Sequence, residues 1–159
     1  MVKIFCKNNN TSKAFPEGMT LMEILASFDF DQPYPILAAK VSNVCQGLKY
    51  RAFNSRQVEF LDYTSYAGRS VYCNSLCFLL TKSVKDLFPQ ARVILRRPIS
   101  KGYYCSIDKR DGSELSENDM IRIKDRMRLL VEEDLPFRRH EVLTEEAIAL
   151  FESMGYDDK

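Results

Sequence analysis

The sequence predicts an α+β fold divided into two units, 1–63 and 64–159. Short segments with the alternating or continuous apolar pattern of strands fill the first unit around a single capped helix. Longer segments with apolar residues at helical spacing dominate the second unit. The polar segment 62–70, which contains Gly68, separates the two patterns and is the expected boundary. A length of 159 residues is sufficient for two small domains.

The first unit is expected to fold as a mixed sheet with one helix laid across it, which is the β-grasp arrangement. Thr20 and Glu23 have the spacing of a capping box at the start of that helix, and Pro33 lies beyond its end. The expected strands are 2–7, 11–15, 36–41, 48–53 and 57–61, with turns at 8–10 and 42–47.

The second unit is expected to combine two strands with three helices. The first helix carries one apolar stripe and ends at Pro89. Asp119 follows Ser116 by three residues, which is the spacing of a capping box at the start of the second helix. The expected helices are 74–88, one that Ser116 opens and one that Thr144 caps, and the expected strands are 92–96 and 102–107.

The composition excludes several classes of function. His140 is the single histidine, so most histidine-based catalysis and metal binding cannot be built from this chain, and we expect no catalytic residue and no metal site in it. Five cysteines without a CxxC pair, and no secretory apolar segment, are typical of reduced thiols in a cytoplasmic protein. No apolar run is long enough to cross a bilayer, so no membrane partner is expected.

Two of the cysteines, Cys73 and Cys77, lie one helical turn apart. Two metal ligands can have this spacing. However, both cysteines continue the apolar stripe of the first helix in the second unit, and no further Cys/His pair completes a tetrahedral site. We therefore expect them to pack in the core as small apolar side chains.

The distribution of charge is more informative than its total. A formal charge of +1 argues against DNA binding by overall electrostatic attraction. Segment 92–110 nevertheless carries six basic side chains and one acidic side chain, whereas 111–159 carries seven basic and fourteen acidic ones. The middle of the chain is therefore basic and the end acidic, a pattern that is usually a solvated surface.

A candidate basic patch lies in that middle segment. Basic side chains beside exposed aromatic rings bind the phosphates and bases of RNA. The alternative interpretation is an ordinary half-exposed strand, because Arg92, Ile94 and Arg96 alternate along the chain. The patch comprises Arg92, Arg96, Arg97 and Lys101, next to the aromatic residues Tyr103 and Tyr104.

Residues 1–63 resemble the TGS domain, a β-grasp module found at the front of threonyl-tRNA synthetases and in some GTPases and alarmone synthetases. The resemblance rests on the opening strand-turn-strand, on GMTLMEIL at the helix and on ILAAKVSN before a turn. It implies the same β-grasp fold for the first unit.

Residues 74–155 resemble the editing domain shared by threonyl- and alanyl-tRNA synthetases. The resemblance rests on three stretches in order, NSLCFLLTKSVKDLFPQARV, RRPISKGYYCSI and LSENDMIRIKDRMRLLVEEDLPFRRHEVLTEEAIALFESMG. It implies the same α+β fold. The HxxxH pair of that family corresponds to Asn74 and Phe78, and its acidic loop residue corresponds to Ser106. Because neither Asn nor Phe can serve as a base or a good zinc ligand, the resemblance implies the fold without the esterase activity.

The former editing cleft is expected to persist as a binding groove. Phe78 is apolar on a flank of the helix where a solvent-facing side chain is normally polar. The candidate cleft residues are Asn74, Phe78, Lys85, Tyr104 and Ser106.

A further resemblance is to the N-terminal half of bacterial uridine-kinase-like nucleoside kinases, carried by FCKNNNTSKAFPEG, VEFLD and SLCFLLTKSVKDLFP. It implies a non-catalytic regulatory or ligand-binding region whose partner is its own C-terminal kinase domain. The chain has no GxxxxGK[ST] motif, so ATP and Mg are expected only for that kinase domain and no cofactor is expected here. The alternative is a stand-alone RNA- or nucleotide-binding module derived from a threonyl-tRNA synthetase, with editing activity lost.

Overall fold

The computed structural model describes residues 1–99, 102–138 and 140–155, with the backbone alone described at 97–99. These residues form nine strands and four helices, which confirms the expected α+β class. The strands are β1 (Val2–Cys6), β2 (Thr11–Phe15), β3 (Met19–Thr20), β4 (Ala38–Val41), β5 (Val44–Gln46), β6 (Arg51–Ala52), β7 (Arg56–Leu61), β8 (Arg92–Ile99) and β9 (Gly102–Asp108). The helices are α1 (Leu21–Leu25), α2 (Tyr66–Leu87), α3 (Glu117–Glu132) and α4 (Thr144–Ser153).

The first unit contains a five-stranded mixed sheet in the order β2-β1-β7-β4-β5. β1 and β7 are parallel, and the other neighbours are antiparallel. Helix α1 begins with the expected capping box, in which Thr20 and Glu23 each accept a bond from the backbone of the other. Its buried side chains, Leu21 and Ile24, pack with Ile4 and Val58 of the sheet in one apolar cluster. Full burial of such a side chain contributes about 1.5–3 kcal/mol, so this cluster stabilises the unit.

Asn8 joins the first hairpin to the central strand of the sheet. Its side-chain Nδ2 donates to the carbonyl oxygen of Phe60 at 2.9 Å, and its Oδ1 accepts from the backbone N–H of the same residue at 2.8 Å. Asn10 then adopts a φ of 55°, in the left-handed region that Asn tolerates. The turn expected at 8–10 is present, and its first residue also fixes the turn to β7.

Two expectations in the second half of this unit were wrong. The segment 42–47, expected as a turn, contains strand β5, because Ser42 and Asn43 reverse the chain in two residues with φ values of 49° and 70°. The strand expected at 48–53 is reduced to β6. Strand β6 leaves the main sheet and pairs with β3, which precedes α1.

The first helix of the second unit begins earlier than the sequence predicts. Helix α2 starts at Tyr66 instead of residue 74, because the Ser65 hydroxyl caps it by accepting from the backbone N–H of Gly68 at 3.0 Å. Gly68 is therefore part of the first helical turn and not a linker glycine. A Cβ atom at this position would lie 1.9 Å from the carbonyl oxygen of Asp62, so the close approach of the two segments requires glycine.

Helices α2 and α3 pack against one face of the β8–β9 ribbon. Val84, Val93 and Ile123 form the centre of a second buried cluster, separate from the cluster of the first unit. Arg126 of α3 donates to Asp86 of α2 through Nε at 2.9 Å, with a second ion-pair contact through Nη2 at 2.8 Å. Two helices and two strands thus share one small core.

Within the described part of the chain, no helix combines the length and the apolar character that a membrane span needs.

Candidate functional site

The two positions that correspond to the HxxxH pair both lie on α2 and both are exposed. Asn74 is followed by Phe78 one turn later, and 62% of Phe78 is accessible to solvent. Asn74 offers a neutral amide, and Phe78 offers an apolar ring. Among the described residues, no three His, Cys, Asp or Glu side chains lie close enough to hold a metal ion.

A groove of about 530 Å³ lies beside Phe78. It is bounded by α2, by the end of α3 and by the segment that follows α3, and its walls are mainly apolar. The ring of Phe78 lies 5.5 Å from that of Phe137 at an angle of 54°. Lys82, Asp134 and Arg138 are the charged residues in its lining. The remaining lining residues are Tyr72, Ser75, Leu76, Leu79, Leu130, Val131, Leu135 and Pro136.

The five candidate cleft residues do not share this groove. Phe78 lines it, whereas Asn74 does not. Lys85 lies near the C-terminal end of α2, where its Nζ donates to the carbonyl oxygen of Pro89 at 3.3 Å. Tyr104 and Ser106 belong to β9 and lie on the face of the ribbon that points away from α2.

The β8–β9 ribbon has an inner face and an outer face. Leu95, Tyr103 and Cys105 line a cavity with α2, so they define the inner face. Successive side chains of a strand point to opposite sides, so the residues between them belong to the outer face. The cross-strand pairing of Ile94 with Ser106 and of Arg92 with Asp108 agrees with this assignment. The outer face comprises Arg92, Ile94, Arg96, Tyr104, Ser106 and Asp108.

Part of the candidate basic patch lies on this outer face. Arg92 and Arg96 belong to it, and Tyr104 of the neighbouring strand is 53% exposed. The register of the ribbon shifts between Leu95 and Pro98, so β8 has an extra residue opposite Tyr104. The side chain of Arg97 and the whole of Lys101 are outside the described residues.

Lys109, which contributes to the basic middle segment, has a structural role. Its Nζ donates to Asp119 at 3.0 Å, and only 10% and 11% of the two side chains are exposed. This bond and the bonds from the backbone and hydroxyl of Ser116 lower the pKa of Asp119 to about 2. The Phe88 ring lies below Lys109, with Nζ 5.5 Å from its centroid. The ion pair ties the end of the ribbon to the start of α3.

A second cavity, which we call the thiol cavity, lies between α2 and the inner face of the ribbon. Its volume is about 320 Å³. Cys73 and Cys77 of α2, Cys105 of β9 and Met127 of α3 all line it. Burial raises the pKa of the Cys77 thiol, and the neighbouring Cys73 and Cys105 thiols raise it further. Cys105 was not among the candidate site residues predicted from the sequence. Its alternation with Tyr103 and Ile107 could have indicated that the three side chains share one face of the strand.

The single histidine does not belong to these sites. His140 is exposed and precedes α4, and it lines neither the groove nor the thiol cavity.

Comparisons with known proteins identify relatives along the whole chain. No protein-family model matches. The chain is 30% identical to the threonine–tRNA ligase of Desulforamulus reducens over 95% of its own length and 23% of the length of that ligase. It is 28% identical to the threonine–tRNA ligase of Natranaerobius thermophilus over 99% of its own length and 24% of that ligase. It is 25% identical to the corresponding ligase of Syntrophomonas wolfei over its full length and 25% of that ligase.

The chain is therefore similar to threonine–tRNA ligases from end to end, and it spans about a quarter of the length of these relatives. This finding supports the synthetase part of the resemblance. It lends no support to the link with uridine-kinase-like proteins, which stays a prediction.

Proposed function

We propose that this chain is an RNA-binding module related to threonyl-tRNA synthetases, that it has lost editing hydrolysis, and that it binds RNA through the outer face of the β8–β9 ribbon. The similarity to enzymes named for their action on tRNA supports the class of ligand. The basic and aromatic outer face of the ribbon supports the location.

The outer face has the chemistry that single-stranded or looped RNA needs. The Arg96 guanidinium can donate two parallel hydrogen bonds to a phosphate, and the positive charge of Arg92 lies on the same face. The exposed Tyr104 ring offers a surface on which a base can stack. A two-stranded ribbon also holds the backbone of these residues at fixed spacing, so little backbone conformational freedom is lost when RNA binds.

The loss of hydrolysis follows from the residues on α2. An ester hydrolase of this kind needs a base or a metal-bound water beside the ester. Asn74 has no basic nitrogen near neutral pH, and the Phe78 ring has no proton acceptor. The groove beside Phe78 is apolar, which favours an apolar ligand over a water-dependent reaction.

The test is a filter-binding titration of the intact chain with tRNA over a series of salt concentrations. We expect affinity that falls as salt rises, because bound arginines release counterions from the phosphates. Log affinity falls with log salt, and Arg96→Gln should make this fall shallower, reducing the magnitude of the slope by about 0.7–0.9. Tyr104→Ala should weaken binding about fivefold or more, because stacking of a base contributes about 1–3 kcal/mol.

Arg128→Gln is the matched control, since Arg128 is also exposed, lies on α3 and loses the same charge. We expect its slope to equal that of the unmodified chain. Binding that does not depend on salt would contradict the proposal, as would an equal effect of Arg96→Gln and Arg128→Gln.

The association with a nucleoside kinase is a separate proposal that rests on the sequence resemblance alone. A GxxxxGK[ST] motif soon after Lys159 in the natural reading frame would support it. A reading frame that continues into a synthetase would contradict it, and the RNA-binding proposal would stand in either case.

A further inference from the structure

We propose that the thiol cavity is a modification site, at which a low-molecular-weight disulfide of the glutathione class oxidises Cys105 and Cys77 to a cross-link between β9 and α2. This inference is independent of RNA binding. It rests on the convergence of three thiols from two elements on one cavity.

Cys77 and Cys105 line the same cavity, and each lies one step along its own element from a residue that packs against the buried cluster of the second unit. Leu80 of α2 and Ile107 of β9 both pack against the buried cluster of the second unit. From Ile107, one step along the inner face reaches Cys105, about 6.6 Å away along the strand. From Leu80, a step of three residues reaches Cys77, about 4.5 Å away along the helix. The influence of Cys105 on the pKa of Cys77 agrees with this proximity.

Cys73 lies one turn before Cys77 on α2, and it is the thiol that could form a disulfide with Cys77 in place of Cys105. An intrahelical bond between Cys73 and Cys77 would join consecutive turns of the same helix and would leave β9 free. A bond between Cys77 and Cys105 would instead fix the ribbon to α2. All three thiols are free and partly buried, whereas Cys45 of β5 is exposed and does not line the cavity.

The reaction is a thiol–disulfide exchange in two steps. The Cys105 thiolate attacks one sulfur of oxidised glutathione, forms a mixed disulfide and releases one glutathione thiol. Cys77, after loss of its proton, attacks the Cys105 sulfur, forms the protein disulfide and releases the second glutathione thiol. Two protein thiols are oxidised and one disulfide is reduced to two thiols, so electrons and protons balance. Burial raises the pKa of the Cys77 thiol, which makes Cys77 a poor first nucleophile and assigns it to the second, intramolecular step.

The test is a tryptic mass map of the intact folded chain after incubation with oxidised glutathione. Cleavage after Arg69, Lys82, Lys101 and Lys109 places Cys73 and Cys77 in peptide 70–82 and Cys105 in peptide 102–109. We expect a disulfide that joins these two peptides. An internal disulfide within peptide 70–82, or glutathione attached to Cys45 alone, would overturn the proposal.

Four variants assign the partners, each compared with the unmodified chain by circular dichroism. Cys105→Ser should abolish the cross-link, and Cys77→Ser should accumulate a mixed disulfide on Cys105. Cys73→Ser and the control Cys45→Ser should both retain the cross-link. Loss of the cross-link in Cys73→Ser, with retention in Cys77→Ser, would overturn the assignment to Cys77. Where a variant fails to fold, the map of the unmodified chain still decides whether α2 is joined to β9, and fragmentation of the joined peptides distinguishes Cys77 from Cys73.

Discussion

The two units differ in how completely their secondary structure covers its own apolar surface. In the first unit, α1 and the sheet enclose a cluster of twelve buried side chains among the described residues. In the second unit, four buried side chains of the described residues form the corresponding cluster, and a groove and a cavity remain open beside it. Large exposed apolar patches commonly mark binding surfaces. The comparison shows that the first unit buries its apolar surface more completely, whereas the second unit leaves apolar concave surface open.

The largest expected effect is at the core of the first unit. Ile24→Ala should lower the free energy of unfolding by about 2–5 kcal/mol, because Ile24 is fully buried and its removal leaves a cavity. Chemical denaturation measures the change. Met22→Ala, on the exposed side of the same helix, should change it by less than about 0.5 kcal/mol. Equal effects of the two variants would contradict the burial assigned to α1.

The second prediction concerns the boundary between the units. Gly68→Ala should destabilise the chain by about 1–3 kcal/mol, since its Cβ would collide with the backbone carbonyl of Asp62. Thermal unfolding followed by circular dichroism measures this loss. Gly47→Ala is the control, because a Cβ at Gly47 meets no atom within 4 Å. A Gly68→Ala chain as stable as the Gly47→Ala chain would show that the two segments do not approach closely.

The third prediction is a pH dependence in the second unit. The pKa of Asp119 is about 2 in the folded chain, below its ordinary value of 3.8, so the folded state binds a proton less readily than the unfolded state. Asp119 therefore contributes stability above about pH 4, and this contribution is lost as the pH falls from about 4 to about 2. Asp119→Asn should remove this part of the pH dependence in acid-denaturation curves.

Asp125→Asn is the control for that prediction. Asp125 is 57% exposed and pairs with Arg128 at 3.4 Å on the surface of α3, so its ion pair contributes little. We expect its acid-denaturation curve to follow that of the unmodified chain. A curve for Asp119→Asn that also follows the unmodified chain would mean that the Lys109–Asp119 pair does not hold the ribbon to α3.

The smallest expected effect is at the groove. Phe78→Ala should change the free energy of unfolding by less than about 1 kcal/mol, although it removes a large apolar side chain, because most of the ring is already in contact with water. Denaturation under the conditions used for Ile24→Ala provides the comparison. A loss as large as that of Ile24→Ala would show that Phe78 is part of a core and not of an open groove.

The sequence predicts local features of the fold well where a short pattern determines them. The capping boxes at Thr20 and Ser116 and the strand pattern of β1 depend on neighbouring residues, and the structure contains all of them. The predicted start of α2 was wrong. Glycine in a polar segment usually indicates a break between elements, and only the structure shows that Gly68 is required by the close approach to Asp62. The short pair β3–β6 depends on residues more than thirty positions apart, which no local pattern reports.

The candidate site was harder to predict than the fold. The expected cleft combined Phe78 with Tyr104 on the basis of a resemblance, whereas the alternation of β9 places Tyr104 on the opposite face of the ribbon from α2. That same alternation joins Tyr104 to Arg92 and Arg96, which the sequence had assigned to a separate patch. Lys109 belongs to the basic segment in sequence, but in the structure its charge is paired with Asp119 in a mostly buried ion pair. The face of the ribbon on which a residue lies can be assigned only when the pairing register of β8 and β9 is known.

The most direct test of the account is hydrogen–deuterium exchange of the intact chain with and without tRNA. Binding at the outer face should slow amide exchange in peptides that cover β8 and β9, and it should leave β1, β7 and α1 of the first unit unchanged. Slower exchange confined to the first unit, or no change anywhere at concentrations of tRNA that saturate the filter-binding signal, would contradict the assignment of RNA binding to the ribbon.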